Sequence, residues 1–285
     1  DALLVSAGSG AATLGVPSSP GVPAGATADT LVVAYNDLGA MRRLFDAHEG
    51  EIAAVLVEPV AGNMGVVPPV EGYLQGLRDL CDAGGAMLIF DEVMTGFRVA
   101  FGGAQSLYGV RADITTLGKI IGGGMPVGAV AGPAEIMSHL APEGPVYQAG
   151  TLSGNPPAMA AGLATLRALR AEGFYERLEE RSAALEDGLR RAAATVGLAE
   201  KVCFNRVGSM LSCFFAPGEV TNYAAASAVN RHAFGVYFHA LLEGGVYVAP
   251  SPFEAMFVSA AHTPEDVERT VGAAKDAFAR AARLM

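Results

Sequence analysis

The run Met87-Leu88-Ile89-Phe90 followed by Asp91-Glu92 constrains the fold more than any other segment. Four apolar residues without alternation, closed by two acids, fit a parallel strand covered on both faces. A second such run, Ile52-Ala53-Ala54-Val55-Leu56-Val57, ends at Glu58-Pro59. Between them Leu74 to Ala83 has helical character, with Gly84-Gly85 to stop it. Asp37 precedes another helical stretch, Leu38 to Phe45, as a plausible N-cap. Val127 to Gly132 offers a further short strand. Strands alternating with helices predict an α/β sheet with crossover connections.

Near residue 155 the character changes. Pro156 to Arg170 is an alanine-rich helix, and Tyr175 to Thr195 continues with charged, helix-period sequence. A smaller α+β region follows, with strand candidates at Met210 to Phe215 and Gly245 to Ala249. Thr263-Pro264-Glu265-Asp266 opens the last helix with an N-cap, a proline at the first helical position and two acids. Residues 1 to 30 carry so much Gly, Pro and Ser that they form a long loop, either a functional lid or a disordered tail.

Composition narrows the function classes. In 285 residues, 51% are apolar and 17% charged, enough for a sizeable core. The net charge of −10, without a basic block, argues against nucleic acid or anionic membrane as partners. No apolar run approaches the roughly 20 residues that cross a bilayer. Cys81, Cys203 and Cys213 form no CxxC pair and fit reduced thiols in a cytoplasmic protein. With His48, His139, His232, His239 and His262 scattered, no zinc site is expected. The chain starts without methionine and without a basic leader region, so it is expected to begin inside a longer protein.

The chemistry centres on Lys119, in Thr115-Thr116-Leu117-Gly118-Lys119-Ile120-Ile121-Gly122-Gly123-Gly124. A lysine losing its hydration in a small, apolar turn becomes available as a neutral amine nucleophile. Asp91, at a strand end, can hold a protonated pyridine nitrogen, and a lysine with such an acid is the pair that pyridoxal phosphate requires. An ordinary solvated loop lysine fits the spacing equally well. Competing motifs fail: Asp113 and Ile120 break a P-loop, Thr13 and Val127 break GxGxxG, and neither GxSxG nor HExxH occurs.

Four segments go further. Glu58-Pro59-Val60-Ala61-Gly62-Asn63-Met64-Gly65, Phe90 to Arg98, Leu117 to Gly124 and Gly144 to Pro156 resemble class III, fold-type I pyridoxal-phosphate enzymes. Within that class they are similar to the glutamate-1-semialdehyde 2,1-aminomutase family, in order and over nearly the whole chain. The resemblance implies an α/β fold of the fold-type I kind. Residues 1–168 would be part of a large, mostly parallel cofactor-binding domain, N-terminally incomplete, and residues 169–285 a small C-terminal α+β domain. Residues 1–27 would be a mobile active-site loop.

The resemblance also implies roles. Lys119 would attach the cofactor and shuttle protons, and Asp91 would hold the ring nitrogen. Val93 and Asn63 would contact the cofactor, Asn63 standing where many aminotransferases have a glutamate. Gly150 and Thr151 would reach across a homodimer interface to the partner's cofactor phosphate. Ser9, Tyr147 and Glu254 would lie near the substrate, with Met256 adding bulk beside Glu254 where the family usually has glycine. The implied reaction converts glutamate 1-semialdehyde to 5-aminolevulinate for tetrapyrrole synthesis, through pyridoxal and pyridoxamine 5′-phosphate forms. Two readings remain beside it: a class III ω-aminotransferase, and a non-catalytic dimerisation scaffold.

Overall fold

The computed structural model describes residues 3–5 and 19–285. The chain divides into two compact units, one of residues 38–59 and 71–175, the other of residues 1–37, 60–70 and 176–285.

The first unit is built on a four-stranded sheet in the order β1-β2-β3-β4. Its strands are β1 (Ala54–Val57), β2 (Met87–Asp91), β3 (Ile114–Leu117) and β4 (Ala129–Ala131). The first three are parallel, and β4 runs antiparallel to β3. Helix α1 (Leu38–Ala47) precedes β1, and α2 (Tyr73–Gly84) and α3 (Gly103–Tyr108) provide the crossovers to β2 and β3. Helix α2 buries Tyr73, Leu74, Leu77 and Cys81, and stops at Gly85, whose left-handed backbone (φ 66°) returns its N–H to the Cys81 carbonyl.

Strand β2 departs from expectation. Leu88 and Phe90 are wholly buried, but Met87 on the other face is 39% exposed. Side chains alternate along a strand, so Leu88 and Phe90 share a covered face while Met87 points to a more open one. An apolar run therefore did not mean cover on both faces.

Short α4 (Ala134–Met137) follows β4, and α5 (Pro156–Leu169) starts at the Asn155 cap. Helix α5 packs on the 3₁₀ turn Lys119–Gly122. Gly162 permits this: a Cβ there would strike the Ile121 carbonyl oxygen.

The second unit holds α6 (Phe174–Thr195), β5 (Cys203–Val207), β6 (Met210–Phe214), α7 (Tyr223–Ser227), α8 (Arg231–Glu243), β7 (Met256–Phe257) and α9 (Pro264–Ala281). Its sheet is antiparallel, in the order β5-β6-β7. An aromatic cluster forms the core, with Tyr237 and Phe278 ring centroids 4.6 Å apart and Phe215 against both. Thr263 caps α9 as expected, and the Asp266 side chain answers it to complete a capping box.

The strand expected at Gly245 to Ala249 does not form. The Val246 N–H donates to the Leu241 carbonyl at 2.9 Å, so it terminates α8 rather than pairing. Tyr247 is 75% exposed, and Met256–Phe257 supplies the third strand instead.

Candidate active site

Parallel strands β2 and β3 end side by side, with Asp91 opposite Thr116. The chain leaves β3 through buried Gly118 into the Lys119 turn. A Cβ on Gly118 would lie 3.1 Å from a Val93 methyl carbon, so Val93 packs against the residue before the lysine. Asp91, Val93, Gly118 and Lys119 thus gather at the C-terminal edge of the sheet, the usual ligand-binding edge of parallel α/β sheets.

The Asp91 Oδ1 accepts two hydrogen bonds, from the Val93 N–H at 3.0 Å and the Thr116 hydroxyl at 3.2 Å. Among the described residues its Oδ2 has no partner. Lys119 has a left-handed backbone, φ 46°, which is uncommon outside glycine and clusters at functional sites. Its side chain is exposed, beside exposed Gly123, Gly124, Met125 and Pro126. The expectation of a lysine desolvated on all sides is not met in this chain, because the surrounding turn is itself open to solvent.

A second polar layer lies under this edge, and sequence reasoning missed it. Glu92 is 1% exposed and its carboxylate accepts four hydrogen bonds. The Ala104 N–H and the Thr95 hydroxyl reach Oε2 at 2.7 and 3.0 Å. The Gln105 N–H and side-chain amide reach Oε1 at 3.2 and 3.1 Å. The same Gln105 amide nitrogen donates to the Thr115 hydroxyl at 3.0 Å. Glycine is required at 103, where φ is 65° and a Cβ would overlap the Glu92 carboxylate. An acid just past a strand end was the sole trace of this network in the sequence.

Of the other site candidates, Tyr147, Gly150 and Thr151 belong to the same unit and lie in an exposed loop, Tyr147 being 84% exposed. The Ser153 N–H donates to the Gly150 carbonyl, and Asn155 caps α5 directly after.

Asn63 and Glu254 belong to the other unit, where their segments meet. The Gly65 N–H donates to the Phe253 carbonyl at 2.7 Å, and the Val66 N–H to the Ser212 hydroxyl at 2.8 Å. Both residues are half-buried. Glu254 and Met256 line a small cavity together with Cys213, Phe234 and Tyr237. Ser9 lies outside the described residues, as does most of the expected 1–27 loop. No cluster of metal-ligating side chains occurs among the described residues.

The aminotransferase class-III family model matches residues 2–270. The chain belongs to the class-III aminotransferases. A relative from Pelotomaculum thermopropionicum, named glutamate-1-semialdehyde 2,1-aminomutase, is 59% identical over 98% of this chain and 64% of its own length. Another with that name, from Brevibacillus brevis, is 56% identical over 99% of this chain and 65% of its own length. The chain thus spans just under two thirds of these relatives.

Among solved structures, an omega-transaminase from Sphaerobacter thermophilus superposes with a TM-score of 0.85 at 33% identity, covering 92% of this chain and 60% of that one. A glutamate-1-semialdehyde aminomutase from Pseudomonas aeruginosa, in complex with PMP, gives 0.80 at 28% identity over 92% and 60%. The α/β architecture is therefore that of fold-type I transferases. No described helix is long and apolar enough to cross a membrane.

Proposed function

We propose that the protein to which this chain belongs is a glutamate-1-semialdehyde 2,1-aminomutase. It would use pyridoxal 5′-phosphate to move an amino group within one substrate, giving 5-aminolevulinate for tetrapyrrole (porphyrin) synthesis. The observation that carries this is the placement of Asp91 and Lys119 at the ends of adjacent strands, in a chain 59% identical to a protein of that name.

The residues fit the cofactor by their chemistry. The Asp91 Oδ2, without a partner among the described residues, can accept from a protonated ring nitrogen. Val93, against Gly118, offers an apolar, β-branched face for a ring. Lys119, exposed beside them, supplies an amine for covalent attachment. When bound, the cofactor supplies an electron sink for charge developing on the substrate carbon that bears nitrogen. The chain's part is to hold the ring by Asp91 and to move the proton at that carbon through the Lys119 Nζ. The Asn63 amide can donate to cofactor or substrate without the charge a glutamate would bring. Glu254, whose segment is tied to that of Asn63, is assigned to the substrate side, with Ser9 and Tyr147.

Exposed Tyr147, Thr151 and Leu152 support a homodimer in which Gly150 and Thr151 meet the partner's cofactor phosphate. The free thiols Cys81, Cys203 and Cys213 support a cytoplasmic setting. The likeness to an omega-transaminase gives a second reading, transfer between an amine and a 2-oxo acid.

One experiment separates these readings. Protein with added pyridoxal phosphate is expected to develop a visible band that borohydride fixes covalently and that Lys119→Ala lacks. 5-Aminolevulinate should then form from glutamate 1-semialdehyde with no added amino donor. A strict requirement for a donor would instead establish the aminotransferase. No band at all would leave the scaffold reading.

A further inference from the structure

Thr116 and Asp91 face each other across the β2–β3 pair, and the pairing continues one residue on, where the Glu92 N–H donates to the Thr116 carbonyl at 3.0 Å. The Thr116 hydroxyl and the Val93 N–H both donate to the same oxygen, Oδ1 of Asp91. A carboxylate turns readily about its terminal torsion, and one donor from its own turn leaves that rotation loosely held. A second donor comes from the neighbouring strand, on a β-branched side chain with a stiff first torsion. Together they hold the carboxyl plane from two directions.

We infer that Thr116 is a positioning residue: by engaging Oδ1 it holds Oδ2 free for the cofactor's ring nitrogen. This rests on the assignment of Asp91 to that nitrogen. Thr116 itself is assigned no contact with cofactor or substrate.

The test titrates pyridoxal phosphate into wild type, Thr116→Val, Thr116→Ser and Asp91→Asn. Affinity is read from the visible band, and ring-nitrogen protonation from the ¹⁵N resonance of labelled cofactor. Thr116→Val is expected to weaken binding about tenfold, the scale of one hydrogen bond to a charged group, and to move the ring-nitrogen resonance toward the unprotonated form. Thr116→Ser, which keeps the hydroxyl, should stay within about threefold of wild type with an unchanged resonance.

A valine variant that matches wild type in both readouts overturns the inference. So does a serine variant that loses as much as valine, since the methyl and not the hydroxyl would then matter. If Asp91→Asn also matches wild type, or if wild type takes up no cofactor, the underlying assignment of Asp91 fails too. Loss in Asp91→Asn with none in Thr116→Val removes the Thr116 role alone.

Discussion

The Ala104 N–H donates to the buried carboxylate of Glu92 at 2.7 Å, joining the first turn of α3 to the end of β2. Three more donors complete that carboxylate.

Glu92→Gln should therefore cost far more than a conservative change suggests. The new amide would set its own donors against those already pointing at the site, leaving buried groups unpaired. A loss of roughly 3 kcal/mol is expected in urea unfolding. Gly103→Ala should fall in the same range, because its Cβ lands on that carboxylate and its φ is 65°. A loss below about 0.5 kcal/mol for either, the level of an ordinary surface change, would show that the network does not hold this edge together.

Lys119 sits in a left-handed conformation that costs an L-residue about 1 kcal/mol. Lys119→Gly should thus be more stable than Lys119→Ala by about that amount, while both lose covalent cofactor trapping. Equal unfolding midpoints would mean that the turn relaxes once the lysine is gone.

Acid sensitivity should arise in each unit. Burial alone would raise Asp113, but the Arg78 guanidinium and the Leu88 N–H, both at 2.7 Å, outweigh it and hold the carboxyl below the usual range. Burial likewise opposes Glu186, and hydrogen bonds from Arg206 and Arg190 prevail. Depressed values mean stability present above the unfolded carboxylate range and lost as pH falls below about 4. Asp113→Asn and Glu186→Gln should each reduce the steepness of that loss, read as the urea midpoint against pH.

Burial pushes the Cys81 thiol up to about 11 and raises Cys213 strongly. Neither should react with a maleimide at neutral pH in the folded protein, and both should react in denaturant. Rapid native labelling of either would show that its cover opens.

Elements whose signal is local were legible in the sequence. The β2 run, the Gly84-Gly85 stop, the Lys119 turn and the Thr263 cap all depend on near neighbours, and each stands where its residues put it. Partner choice was not legible. Nothing in Val127 to Gly132 shows that β4 runs antiparallel to β3, and two-residue β7 is too short to show a period. Gly245 to Ala249 has a strand's composition but spends an N–H on closing α8. The Glu92 network links residues up to 13 apart through side chains, and its members look like ordinary polar positions one by one.

The chain departs from the sheet unit after Pro59, contributes residues 60–70 to the other unit and returns at Glu71. The Val66 N–H must await Ser212, 146 residues later. At the pace of protein synthesis that is a delay of roughly 7 to 30 s. Through that interval Ala61, Val66 and Val67, buried in the finished fold, lack β6 and Phe253 to cover them. On the ribosome this loop is a sticky stretch of nascent chain, and the second unit cannot close until synthesis has passed Phe253.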